Sequence, residues 1–273
     1  MRRVELFQIA YSEQSLADIG AGYSVLDNRT DSDPGWREYW PMRRYLLDHL
    51  DALEADTWVG FFSPKFAAKT GLSHADVVRF VQESPADTDV VTFSPQPDMG
   101  SMFLNVFEQN ELFDPGFTAA TDVFLRSIDI EIDLRTLVMD SRQVVFSNFV
   151  VARPRFWKRW LDINEALFAV CEGPDSPLRS MLVATTTYPG AVERKVFLME
   201  RIASLVLALD DTLVVKPYNT FRCAWSATRL GTHTLEAVLS DALKIAMREQ
   251  GFPEYTAAFA QIRDRLRQLP ATT

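Results

Sequence analysis

Two rhythms of apolar and polar positions alternate along this chain. Short apolar runs closed by turn residues predict strands, and longer stretches with apolar positions three and four apart predict amphipathic helices. The clearest junction is QVVFSNFVVARPRFWKRWLDINEALF, residues 143–168. Val144, Val145 and Phe146, then Phe149, Val150 and Val151, form an apolar run suited to a strand buried on both faces. Arg153-Pro154 ends it, because proline fixes its own φ and turns the preceding residue away from the helical region. Beyond it Phe156, Trp157, Trp160, Leu161, Asn164, Leu167 and Phe168 recur at helical spacing, opposite Lys158, Arg159 and Asp162. Ser147-Asn148 interrupts the strand. The pair reads either as a bulge holding a satisfied buried amide or as the lining of a pocket at the sheet centre.

The same reading predicts strands over Val4–Ala10, 57–62, 89–93 and 213–216. It predicts helices over 34–53, 73–83, 105–113, 116–137, 191–209, 235–247 and 255–269. Residues 11–33 show little periodicity and read as a loop, and 178–187 are ambiguous. Pro41 falls inside the 34–53 pattern, so that helix is kinked there or begins after it. Alternating strands and helices favour an α/β sheet of mostly parallel strands flanked by helices. No Gly/Ser linker divides the chain. One Rossmann-like domain over 1–230 is expected, with the helices of 231–273 packed on it as a C-terminal tail.

Charge narrows the function. With 28 Lys+Arg against 37 Asp+Glu in 273 residues, the net charge is -9, which disfavours non-specific nucleic-acid binding. One local basic pocket for a phosphorylated small molecule is still compatible with it. Cys171 and Cys223 fit no zinc spacing and read as reduced core thiols. No secretory signature and no bilayer-length apolar run is found, so a cytoplasmic protein is expected, with any membrane contact peripheral.

No GxGxxG, P-loop or GxSxG is present. His49, His74 and His233 are scattered and make a histidine metal site an unfavoured reading. Carboxylates remain. Asp87-Thr88-Asp89 and Asp31-Ser32-Asp33 are both DxD, but the first precedes its strand and the second reads first as a helix cap. Asp98 follows the 89–93 strand and is either a metal or sugar ligand or a turn-forming residue. Glu193 and Glu200 share one side of the 191–209 helix. Glu193 sits where the helix dipole favours a carboxylate. Glu200, among Phe197, Leu198, Met199 and Ile202, is either half of a structural pair with an arginine or a functional group.

The order of FFSPKF, DVVTFSPQPD, SNFVVARPRFWKRWL, MERIASLVLAL and VKPY resembles bacterial GT-A-type glycosyltransferase-like proteins of lipopolysaccharide and capsular polysaccharide biosynthesis. The similarity is of order and pattern over residues 4–218. It implies transfer of a sugar from a nucleotide-sugar donor to a hydroxyl on a glycan or glycolipid. The resemblance assigns Tyr11 and Asn28 to the base and ribose, Lys65 to the diphosphate, and Asp98 to a metal or the donor. Ser147 and Asn148 would meet the donor sugar or acceptor, Glu200 and Glu193 would be catalytic, and Arg201, beside Glu200 at the catalytic helix, would bind the donor. Only Ser63-Pro64-Lys65 stands where the family carries an arginine-rich stretch, and a strand-end DxD is missing. Dependence on Mn²⁺ or Mg²⁺ is therefore left open. A non-catalytic interaction protein on the same fold and an unrelated nucleotidyltransferase are the alternatives.

Overall fold

The computed structural model describes residues 2–30 and 32–268. Its centre is a six-stranded sheet of β1 (Val4–Ala10), β2 (Ser24–Asp27), β3 (Trp58–Phe62), β4 (Val90–Thr92), β5 (Val150–Ala152) and β6 (Val215–Pro217). The spatial order is β2-β1-β3-β5-β4-β6, and only β5 runs antiparallel to its neighbours. The expected α/β class and mostly parallel sheet are therefore present. Helices follow the strands: α1 (Glu13–Ala17), α2 (Tyr39–His49), α3 (Phe66–Thr70), α4 (His74–Glu83), α5 (Pro97–Ser101) and α6 (Val106–Glu111). Then come α7 (Phe117–Ser127), α8 (Pro154–Glu172), α9 (Pro177–Leu182), α10 (Arg194–Leu209), α11 (Thr234–Gln250) and α12 (Pro253–Gln268). Among the described residues no helix is long and apolar enough to cross a membrane.

Side-chain alternation along the strands builds two layers. Leu6, Trp58, Phe62, Val91 and Val151 pack on one face with Val77 and Val81 of α4. Ile9, Val59, Phe61, Val90, Val150 and Ala152 pack on the other with Trp157 and Trp160 of α8 and the apolar side of α10. Trp157 also donates from Nε1 to the Val59 carbonyl at 3.0 Å, which fixes α8 to β3. Gly60 sits where β3 and β5 meet. A Cβ there would lie 2.7 Å from Val151 Cγ2 and 3.1 Å from both Leu6 Cδ2 and the Val150 carbonyl oxygen. Gly60→Val is expected to cost about 1–3 kcal/mol by overpacking. Urea unfolding should show a lower midpoint at unchanged slope; an unchanged midpoint would contradict this packing.

Several boundaries differ from the sequence pattern. Residues 144–149 are not a strand. Ser147 (φ 62°) and Asn148 (φ 52°) both adopt left-handed backbone, and regular pairing starts only at Val150. The segment is held instead by Ser204 and Ser94, whose hydroxyls accept from the amides of Val145 at 2.9 Å and Phe146 at 3.1 Å. The helix expected over 34–53 begins at Tyr39, after a turn at 33–37 in which Asp33 Oδ1 accepts from Gly35 N at 2.9 Å. Pro41 is its third residue, where a helix has no use for the amide hydrogen. The helix expected over 116–137 stops at Ser127, with Asp129 in left-handed backbone, so the acidic run is irregular chain. The 11–33 loop contains α1 and β2. The two last helices pack on the body: Ala237 and Leu266 cluster with Met102, and Lys244 Nζ donates to the carbonyls of Gly100 (2.6 Å) and Phe103 (2.9 Å).

Candidate functional site

Five strands point one way, so their exits share one edge of the sheet. Because β5 runs the other way, its entry turn, Ser147-Asn148, arrives at that same edge. Tyr11 leaves β1, Asn28 leaves β2, and Ser63-Pro64-Lys65 leaves β3. Together with Asp33, Arg37, Glu38, Lys69, Val196, Met199 and Glu200 they line a cleft of about 610 Å³. Tyr11, Asn28, Lys65 and Glu200, singled out from sequence, are thus brought together. Ser147 and Asn148 stand directly behind. Lys69 Nζ donates to Ser147 Oγ at 2.8 Å, and Asn148 Nδ2 donates to Met199 Sδ at 3.4 Å.

The cleft concentrates opposing charges. Lys65 is exposed, while Lys69 is half-buried beneath it with its ammonium 5.7 Å from the Phe149 ring. Glu38 lies at the amino end of α2, has the Tyr11 hydroxyl close by, and is near enough to Glu200 for the two carboxylates to repel. Burial first, and then Glu200, push the Glu38 carboxyl up to about 7, although Lys69 works against the shift. Burial and the Glu38 carboxylate likewise raise the Tyr11 phenol well above its ordinary range. Glu38 therefore changes charge near neutrality, the range in which a side chain can both take and give a proton at ordinary pH. Arg37, beside it, is held at φ 48°, a conformation that costs a non-glycine residue energy and turns up often at sites. Asn28 (5% exposed) and Asn148 (2% exposed) each bury an Oδ1 with no hydrogen-bond partner among the described residues. Unpaired buried acceptors of this kind are unfavourable unless a ligand or water meets them.

Three residues lie elsewhere. Asp98 is fully buried in α5, and Ser226 closes over it, donating from N to Oδ1 at 3.0 Å and from Oγ to Oδ2. Both oxygens are occupied, so Asp98 does not fit a metal-ligand role. Among the described residues no three His, Cys, Asp or Glu side chains converge on a metal-sized point. Glu193 is the residue before α10 and pairs with Lys195 at 2.9 Å, apart from the residues that line the cleft. Arg201 bonds Glu200 at 3.1 Å but turns into a second cleft on the adjacent side of α10, lined also by Gln109 and Ser226. Asp98 thus shares no cleft with Glu200: Glu200 lines the first, with Asn148 behind its Met199 wall, and Asp98 lies behind the second. Of the DxD residues, Asp31 lies outside the described residues, Asp33 lines the first cleft, Asp87 is exposed, and Asp89 is structural, bonding Arg155 and the Val214 amide. Glu38 is the site residue that sequence reading missed. No protein-family model, curated protein or solved structure matches this chain.

Proposed function

We propose that the chain is a GT-A-like glycosyltransferase that moves a sugar from a nucleotide-sugar donor to a hydroxyl on a glycan or glycolipid of surface polysaccharide assembly. The observation that carries this reading is the Glu38–Glu200 pair beside Lys65, Lys69 and Arg37 in one cleft at the strand exits. Sugar transfer needs cationic compensation for a departing diphosphate and a base for the acceptor proton. Lys65, Lys69 and Arg37 supply the first. Glu38 supplies the second, kept protonatable by burial and by Glu200. The acceptor oxygen attacks the anomeric carbon, its proton passes to Glu38, and the bond to the diphosphate breaks with the electron pair leaving on phosphate oxygen. Tyr11 and Asn28 border the nucleotide end, where the unpaired Asn28 Oδ1 can accept from a base N–H or a ribose hydroxyl. Donor and acceptor are the expected partners, and nucleic acid is not. A thermal-shift screen of nucleoside diphosphates and nucleotide sugars, with and without Mn²⁺ or Mg²⁺, tests the reading. At a hundred times Kd one nucleotide should stabilise by about 3 kcal/mol. No shift with any nucleotide would overturn it in favour of a non-catalytic interaction protein.

A further inference from the structure

The second cleft, about 380 Å³, is walled by Phe113, Tyr188 and Phe197 and floored by amide and hydroxyl side chains. Phe113 and Tyr188 are 50% and 57% exposed, although each is anchored. Tyr188 packs edge-on against Phe197 at 5.3 Å, and Thr187 Oγ1 ties its loop to the Phe113 carbonyl at 3.2 Å. On the floor two buried donors stand unpaired among the described residues, Arg201 Nε and Asn110 Nδ2, on residues 6% and 4% exposed. The rest of the Arg201 guanidinium is committed, to Glu200 and the Phe197 carbonyl through Nη1 and to Gln109 Oε1 at 3.2 Å through Nη2. Buried unpaired donors are costly and are accounted for when a bound group accepts from them. Aromatic side faces with interleaved amides and hydroxyls suit the C–H faces and hydroxyls of a sugar ring.

We infer that this cleft binds a saccharide carrying a carbonyl-type oxygen, either a uronate carboxylate or an acetamido group, which accepts from Arg201 Nε and Asn110 Nδ2 while the ring stacks on Phe113 and Tyr188. The Glu200–Arg201 bond joins this cleft to the first, so under the glycosyl-transfer reading, on which this clause alone rests, the saccharide is the acceptor. Saturation-transfer NMR with the full chain, using methyl glucuronide, methyl N-acetylglucosaminide and methyl glucoside, separates the possibilities. One of the first two should bind at least tenfold more tightly than methyl glucoside, and which one identifies the oxygen. Tyr188→Ala, an exposed change that spares the core, should weaken that binding at least tenfold. Asn110→Asp should weaken the uronate more than the acetamido sugar. Nucleotide affinity measured on the Tyr188→Ala protein should be unchanged, which distinguishes this cleft from the first. Equal binding of all three sugars, no binding of any, or an unaltered affinity in Tyr188→Ala would overturn the inference, whatever nucleotides do at the first cleft.

Discussion

Glu38→Gln is expected to lower kcat by about a hundred- to ten-thousandfold, the range for loss of a general base, while making the folded protein more stable above pH 7. Both effects have one cause. The Glu38 carboxyl is raised from an ordinary 4.5 to about 7, first by burial and then by Glu200. A raised acid binds its proton more tightly in the folded than in the unfolded chain. The folded state thus holds the extra proton between pH 4.5 and 7, and stability falls as pH rises through that window. Above it the folded protein carries an ionised carboxylate in an unfavourable place. At about 1.4 kcal/mol per pKa unit the penalty is about 3 kcal/mol, reduced to about 2 because Glu38 is half-buried in an open cleft and not sealed from water. Glutamine removes it. Urea titrations at pH 5 and pH 8 should show the variant gaining on the wild type only at the higher pH. In turnover, the wild-type rate should rise with pH and level off above 7, since the base must be deprotonated. Glu200→Gln should move that rise to lower pH. A Glu38→Gln protein that is active, or less stable at pH 8, would break the link between this carboxylate and the reaction.

Asp89→Ala is expected to cost about 3 kcal/mol in stability with no change in nucleotide binding. Asp89 is 4% exposed at the start of β4. Its Oδ2 accepts from Arg155 Nη2 at 2.5 Å and from the Val214 amide at 2.9 Å, while Arg153 lies 3.7 Å from Oδ1. One carboxylate thus joins β4, the chain entering β6 and the start of α8. Removing one partner of a buried charged network costs about 3–5 kcal/mol. The lower end applies because the Arg155 side chain is 49% exposed and water can take it up. Asp89→Asn keeps an acceptor for the Val214 amide and should lose only about half as much. A fall in the urea midpoint at constant slope measures both; no fall with Asp89→Ala would remove the structural role.

The legible parts of this molecule were those in which local pattern and burial agree. The 154–168 periodicity placed α8, and Ser73 placed the start of α4, where a capping box with Asp76 forms. The 191–209 pattern placed α10, where Val196, Met199, Ala203, Val206 and Leu207 are buried. What escaped was tertiary. β2 has only four residues, mostly exposed, so it shows neither alternation nor an apolar run. β5 is three residues long, and nothing in VVA says that it runs against its neighbours. That reversal is what delivers Ser147-Asn148 to the strand exits. Glu38 sits between Trp36 and Tyr39 and looks like the solvated side of a helix; only the approach of Glu200 from α10 gives it its character. Asp98 misled for the complementary reason. Its position after β4 is right for a ligand, but Ser226, from the far end of the chain, occupies both of its oxygens.

A carbon-detected NMR pH titration of the Glu38 side-chain carboxyl, in the wild type and in Glu200→Gln, reaches the acidic pair itself. The midpoint should fall near 7 in the wild type and move clearly lower once Glu200 is neutral. A wild-type midpoint in the ordinary carboxylate range, unmoved by the substitution, would mean that the two carboxylates do not share a cleft.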